Sequence, residues 1–580
     1  MITGFVLVVL SWLFFLAAVV LLGYPLAYLL NLRSHGTATL RGSLWLGTLV
    51  SIIAILAIGI FTPLRSPTAL VTFGILLAAG AVATIYLLRS NHRNGNFTLQ
   101  ITKTDWLLIA GLGAALAYLA FAALGPVTNY DSGLYHLGAI KYAGDYATIP
   151  GLANLYFPFG YNTSLYPVGA FLGNGPWNGN GFRLFNGFLI VLLVVDVVLR
   201  LARTKNVKGK RSTGTYFLVI AIPLTLVPLV SLSDYWVTSP SSDAAVLVIT
   251  LISVAYLLDA LTQKNNMVAN ASVSFTAAVI AFSLRPTMVV FLIGLSLVLL
   301  YRVIRIKSRR RIYLLIPAIL GIVLLIIQST RDYLLSGWLQ YPLSLISFNV
   351  PWLASDPIWN RDATLGNARN PADIWGSVEG FAWVGPYLSR LPSQWETFFV
   401  AGLAALAIAL LLLNSKFGKP LRWKTIMIAL LPATAGVITW FFFSPPTFRF
   451  GWGVVFSFFL VLIAFPLKAI VEKNRLRLTR AVTPALAFML ITLVGFNLAT
   501  RFQSDTITEN NTWSVGPISI DYKLSPITPM QIVEQELASG LVVTSPTESD
   551  QCWDNYPLCS PIVAPSLSLR GQNLQEGFLP

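Results

Sequence analysis

VSFTAAVIAFSLRPTMVVFLIGLSLVLL, residues 273–300, is the stretch on which the reading of the fold turns. It is apolar over 273–283, is interrupted by Leu284-Arg285-Pro286-Thr287, and is apolar again over 288–300. Lys264 lies before it, and the cluster from Arg302 to Arg311 follows directly. Lys and Arg collect on the cytoplasmic side of membrane spans, so both flanks are expected on the inner face. One continuous span would carry the 302–311 cluster to the outer face, against that rule. Two short helices turning at Arg285-Pro286 keep both flanks inside. Proline ends a helix and frees backbone groups, which membrane depth tolerates only against protein or a wet cavity. The alternative is a single kinked span with an inverted topology downstream.

The rest of the chain has the same character. Of its 580 residues 56% are hydrophobic and 11% charged, with a mean hydropathy of +0.71, where a soluble protein carries about 25% charged residues. Apolar segments of about 20 residues mark membrane-spanning helices. They fall at about 1–30, 42–62, 69–88, 105–125, 182–200, 215–232, 243–261, 312–330, 396–413, 425–443, 451–467 and 482–499. The first is apolar for too long to be a signal-peptide core and no basic residue precedes it, so it reads as a retained span. The expected fold is therefore all-α: a polytopic membrane bundle of about twelve spans plus the broken hairpin.

The net charge of +16 is unevenly placed. With 31–41 inside, the loops 89–104, 200–214, 262–270, 302–311, 414–424 and 468–481 are inside too. These loops and the adjoining helix ends hold 27 of the 39 Lys/Arg and 4 of the 23 Asp/Glu. The basic clusters are thus topology signals. A nucleic-acid partner is set aside, and anionic lipid headgroups are a mild additional role. The chain divides into N-terminal spans (1–104), a membrane core (105–500) with long outer segments at 126–181 and 331–395, and a small outer domain (501–580). The only cysteines, Cys552 and Cys559, lie in that last part. Their isolation there points to a small disulfide loop in an oxidising compartment, with two free thiols as the other reading.

No zinc spacing, Walker loop, nucleophile elbow or dinucleotide fingerprint occurs in a plausible context. Of the three histidines, His35 and His92 fall in inner loops and only His136 lies outside. Asp131, just after the fourth span, is the candidate general base, since an ionisable group at a membrane boundary is costly unless solvated or used. A loop cap or a partner for Lys141 are its structural readings. Tyr135 and His136 are candidate substrate contacts. Asp243, behind Ser239-Pro240-Ser241-Ser242, is a third, and the same pattern fits a helix N-cap. The cations on or near the outer side are Arg285, Arg331, Arg449, Arg183 and Lys141, and a guanidinium fork matches a donor phosphate well. For each alone, a neighbouring carboxylate is the ordinary partner, most clearly Asp332 for Arg331.

With these residues in view, the chain resembles the GT-C superfamily of integral membrane glycosyltransferases over roughly 107–450. The likeness is sharpest in NYDSGLYH (129–136), continuing to IPGLANL (149–155), where the chain resembles a group of uncharacterised bacterial GT-C-like membrane proteins with an Asp-x-x-x-Tyr-His outer loop. SPSSD (239–243), SLRPT (283–287), RDYLLSG (331–337) and PTFRF (446–450) also match. The resemblance implies a polyprenyl-phosphate-linked sugar as donor and a glycan, lipid or protein as acceptor. It implies Asp131 as base and, less directly, the cations on the donor phosphate, in a bacterial plasma membrane. The chain departs from the pattern in having three spans before the one that leads into the Asp131 loop, and in its small tail. No second carboxylate set is evident, so no metal or other cofactor is expected. A transporter for lipid-linked saccharides and a non-catalytic docking subunit are the alternatives.

Overall fold

The computed structural model describes residues 1–30, 36–90, 101–202, 211–227, 236–264, 266–305, 309–343, 345–478 and 504–580, with isolated residues between. It is mostly helical, and among the described residues twelve helices are long and apolar enough to cross a membrane. The span expected at 482–499, apart from Thr483, and His35 and His92 lie outside the described residues.

The first four helices are α1 (Ile2–Leu30), α2 (Thr37–Phe61), α3 (Pro67–Ser90) and α4 (Lys103–Ala122). Small residues let α1 and α2 meet backbone to backbone. A Cβ at Gly47 would lie 1.8 Å from the Val19 carbonyl oxygen, and one at Gly23 2.0 Å from that of Ser43. Membrane helices pack closely in this way because lipid offers no competing hydrophobic drive.

The segment 126–181 is more buried than an outer loop would be. A π-helical turn (Ser132–His136) leads into α5 (Leu137–Asp145), then come α6 (Leu152–Leu155) and α7 (Leu165–Leu172), the last buried throughout. The core follows with α8 (Phe185–Leu201), α9 (Thr213–Ala221) and α10 (Ser242–Thr262). The apolar helix that contains α9 runs over Thr213–Leu226, shorter than the full span expected at 215–232. α10 is buried along nearly its whole length.

The broken stretch is two helices with a turn between them. Its arms are α11 (Met267–Leu284) and α12 (Val289–Ile304), joined by extended Arg285 and a 3-10 turn at Pro286–Met288. Each arm is long enough to cross a membrane by itself, so the helices are longer than the short ones expected. The carbonyls freed before the proline are met by protein. Ser283 O accepts from the Ser164 N–H (3.0 Å) and Gln328 Nε2 (2.9 Å), and Leu284 O from Thr163 Oγ1 (2.8 Å).

The remaining helices are α13 (Leu315–Ser336), α14 (Ile358–Arg369), α15 (Val384–Arg390), α16 (Trp395–Phe417), α17 (Trp423–Phe443) and α18 (Phe448–Lys473). α12 packs on α17, while α11 packs on α10 and α2. The C-terminal residues form three antiparallel strand pairs: β1 (Glu509–Val515) with β2 (Ile518–Leu524), β3 (Ile532–Glu536) with β4 (Val542–Pro546), and β5 (Ser568–Leu569) with β6 (Phe578–Leu579). Cys552 and Cys559 are joined as a disulfide. The domain is fixed to the bundle through Ser525, whose N–H donates to Leu124 O (2.8 Å) and whose carbonyl accepts from buried Arg183 (2.9 Å).

Candidate functional site

Four elements end at one place, beneath the C-terminal domain: the π-turn after Asp131, the N-termini of α10 and α18, and the turn between α11 and α12. They bring together Asp131, Asp243, Arg285 and Arg449. Arg449 Nη1 lies 2.9 Å from Asp131 Oδ2. Arg285 is paired with Asp243 and also donates to Ser242 Oγ (2.9 Å) and, at 3.4 Å, to Phe450 O. The two guanidiniums flank one ring, with Arg285 at 4.9 Å and Arg449 at 4.8 Å from the centroid of Phe450.

Helix ends explain part of this placement. Asp243 sits in the first turn of α10 and Arg285 just past the last turn of α11, and both positions suit the helix dipoles. Arg449 sits in the first turn of α18, where a dipole disfavours a cation. Asp131 offsets that. The N-cap of α10 is Ser241, whose Oγ accepts from the Asp243 N–H (3.3 Å) and donates to its carboxylate (2.7 Å). Asp243 is therefore not the cap. Asn186 on α8 holds this loop by donating to the carbonyls of Trp236 (2.8 Å), Ser239 (2.8 Å) and Ser241 (3.1 Å).

The two ion pairs differ in access. The side chains of Asp131 and Arg449 are 21% and 34% exposed, those of Asp243 and Arg285 9% and 11%. A ligand arriving from outside the bundle meets the first pair. Asp131 is held by an Asx turn, its N–H donating to Asn129 Oδ1 (3.0 Å). His136 is buried beside it. Its Nδ1 lies 3.5 Å from Ser132 Oγ, which in turn lies 3.1 Å from Ser239 Oγ. Tyr135 and Tyr166 pack against His136 at 4.5 Å and 5.5 Å between centroids, and Tyr161 lies 5.7 Å from Tyr135. Burial holds the Tyr135, Tyr161 and Tyr166 phenols above their ordinary value, so they remain protonated donors.

Burial also pushes the His136 imidazole down to about 4, against the pull of Asp131 and Asp243. The ring is therefore neutral at pH 7. Between its ordinary value of 6.5 and about 4 the unfolded chain takes up a proton that the folded chain refuses. Stability then falls as pH falls through that window, by about 3 kcal/mol at its lower end. The check is acid unfolding of wild type beside His136→Gln. The variant loses this part of the slope, and identical slopes would refute the assignment.

Lys141 and Arg331 are not brought to the cluster. Lys141 pairs with Asp554 and lies 5.7 Å from the centroid of Tyr556, so Asp131 takes Arg449 as its partner and not Lys141. Arg331 is buried and donates to Thr148 Oγ1 (2.7 Å) and Asn162 Oδ1 (3.1 Å). It faces a cavity of about 30 Å³ lined in part by Tyr161 and Tyr166, which also pack against Tyr135. Its neighbour Asp332 accepts from the Tyr341 N–H at 3.4 Å. Sequence reasoning missed Ser132, Ser239, Tyr161, Tyr166 and Phe450. Ser132, Ser239 and Phe450 stand in quoted motifs without a role assigned to them, nothing local marks Tyr161 or Tyr166, and all five are assembled by contacts between distant segments.

A cavity of about 490 Å³ opens between α1, α2, α3, α7 and α8, within the range that holds small-molecule ligands. Phe14, Phe73, Gly74, Val168, Phe171 and Phe188 are among its apolar walls. α7 turns Val168 and Phe171 to this cavity and Tyr166 to His136, so cavity and charged cluster lie against one short helix. Among the described residues, no group of three His, Cys, Asp or Glu side chains is placed to hold a metal ion.

Residues 5–456 match the family whose model carries the description "Domain of unknown function (DUF8201)", and the chain belongs to that family. The match takes in the N-terminal helices, the Asp131 turn, the hairpin and Arg449, and stops within α18. A comparison with curated proteins finds no match.

Proposed function

We propose that this chain is an integral membrane glycosyltransferase that moves a sugar from a polyprenyl-phosphate donor to an acceptor hydroxyl, with inversion, at the extracytoplasmic face of a bacterial plasma membrane. The observation that carries the proposal is the partly exposed Asp131–Arg449 pair backed by the more buried Asp243–Arg285 pair. One accessible carboxylate and two guanidiniums stand together where a helix hairpin turns. The charge asymmetry of the loops supports an extracytoplasmic placement of that end.

In the reaction, the acceptor oxygen attacks C1 of the sugar as the bond from C1 to the phosphate oxygen breaks. Asp131 takes the acceptor proton, and polyprenyl phosphate leaves with the bonding pair. Charge develops on the departing phosphate, and Arg449 and Arg285 stabilise it in a poorly hydrated site. In the free chain Arg449 holds Asp131. Donor phosphate competes for that guanidinium and leaves the carboxylate free to act as base. His136, neutral and buried, orients the Asp131 turn through Ser132.

The apolar cavity beside α7 is the candidate seat for the donor chain. A Cβ on Gly74 meets nothing within 4 Å, and Gly74 lines the cavity, so Gly74→Trp is the substitution that narrows it. Excluding two or three methylenes, at about 0.8 kcal/mol each, raises the donor KM roughly 10–100-fold with kcat unchanged. A KM equal to that of wild type would place the chain elsewhere.

The test of the reaction is incubation of purified protein with a panel of radiolabelled polyprenyl-phosphate sugars and membrane acceptors. Transfer of label to an acceptor supports the enzyme. Label that crosses the bilayer still attached to its lipid would overturn it in favour of a transporter.

A further inference from the structure

We infer that the disulfide-closed loop between Cys552 and Cys559 is a positioning element for Asp131, seating the turn that carries it. The inference deepens the proposed reaction and rests on that reading for its link to turnover, though not for its geometry.

Residues 550–558 touch the segment 130–142 at five successive places. Tyr130 Oη donates to the Asp550 carboxylate, and Gln551 Nε2 donates to Tyr130 O (2.7 Å). The Trp553 N–H donates to Gly133 O (2.9 Å). Lys141 Nζ pairs with the Asp554 carboxylate and donates to its carbonyl (3.0 Å). The Leu558 N–H donates to Tyr142 Oη (3.0 Å), and the Tyr142 and Tyr556 rings lie 4.8 Å apart. Asp131 is thus bracketed by Tyr130, held by the two residues just before Cys552, and by Gly133, held by Trp553 within the loop.

A π-turn is a rare and short form, and it keeps its shape when neighbours fix it. Here the fixing is specific. The Trp553 indole lies against Gly133, where a Cβ would come within 2.4 Å of the ring. Gly133 is the residue that lets the indole seat.

The disulfide links the two halves of this clamp to a firm support. Cys559 bridges to Thr544 on β4, with the Thr544 N–H donating to Leu558 O (3.0 Å) and the Ser560 N–H to Thr544 O (2.9 Å). Cys552 lies next to Trp553, at the end of the loop that touches Tyr130 and Gly133. The bond therefore ties the part that grips the Asp131 turn to strand β4 of the domain. Closing a loop covalently removes conformations that would unseat it.

The experiment is hydrogen exchange on the full-length protein in lipid nanodiscs. Four preparations are compared, among them wild type, wild type treated with dithiothreitol after purification, and Cys552→Ala/Cys559→Ala. Gly133→Val is the second variant, unseating the indole with the disulfide intact. The expected result is exchange at residues 131–137 at least about tenfold faster in the reduced, double-alanine and Gly133→Val proteins, with α10 and α11 at wild-type rates. With a donor in hand, kcat falls while the donor KM stays the same, which a general loss of structure would not produce. Wild-type exchange at 131–137 alongside faster exchange at 550–559 would overturn the inference. That exchange readout needs no transfer activity, so it stands or falls separately from the proposed reaction.

Discussion

Under the proposed reaction, Asp131→Asn is expected to lower sugar transfer by about 10²–10⁴-fold while the protein keeps its fold and its donor binding. The substitution keeps the size of the side chain and its place in the Asx turn, and removes the charge and the proton acceptor. Arg449 loses its partner at 2.9 Å, yet it stands in the same cluster as Asp243 and Arg285, so it is not left without an opposite charge. Arg449→Ala is the informative companion. It frees Asp131 and removes a phosphate ligand, so kcat falls and the donor KM rises together. Asp131→Asn moves kcat alone. An Asp131→Asn protein within about threefold of wild type would show that the carboxylate is there for Arg449 and not for chemistry.

The largest expected effect on stability lies at the other end of the bundle. Arg200 on α8 donates to Asp196 (2.5 Å) and Asp259 (2.6 Å), and all three side chains are almost fully buried. Asp196 also accepts from Trp45 Nε1 and Tyr256 Oη, each at 2.7 Å, and Asp259 from the Gly214 N–H at 2.9 Å. The triad therefore ties α2, α8, α9 and α10 together. Removing the cation leaves two carboxylates buried among apolar helices. Breaking a buried pair from one side costs about 3–5 kcal/mol, because the remaining charge is uncompensated. Arg200→Met is expected to unfold at a much lower temperature in detergent, with the loss shared by Arg200→Lys, which cannot serve both carboxylates with a planar fork. A shift equivalent to less than about 1 kcal/mol would show that the helices are held by packing alone.

Much of the architecture was legible because the membrane imposes simple rules. Apolar length marked the helices, and loop charge required the 273–300 stretch to turn back. The hairpin at Arg285 follows from that, and the isolation of Cys552 and Cys559 pointed to their bond. The arms exceed the apolar runs 273–283 and 288–300 at their far ends, since α11 begins at Met267 and α12 continues to Ile304, while at the turn the freed carbonyls pass to Ser164, Thr163 and Gln328. Those partners lie far away in sequence and leave no local signal.

The site divides in the same way. Asp131, Asp243, Arg285 and Arg449 stand out because charges are rare in such a chain. Their pairing could not be read, since nearness in sequence favours Lys141 for Asp131 and the tertiary fold supplies Arg449. Arg331 looked like a phosphate ligand because it ends a span, yet it bonds to Thr148 and Asn162 to pin α13 against the 126–181 segment. The part played by residues 550–558 was invisible, because a tail of irregular structure shows no pattern until it is docked.

The most direct measurement is acceptor-dependent release of polyprenyl phosphate in a single turnover, from a donor labelled in both sugar and lipid, with wild type and Asp131→Asn side by side. The account predicts that wild type yields free polyprenyl phosphate and labelled acceptor in equal amounts, while Asp131→Asn binds the donor and releases neither. Equal release by both proteins, or donor bound and recovered intact from both, would contradict it.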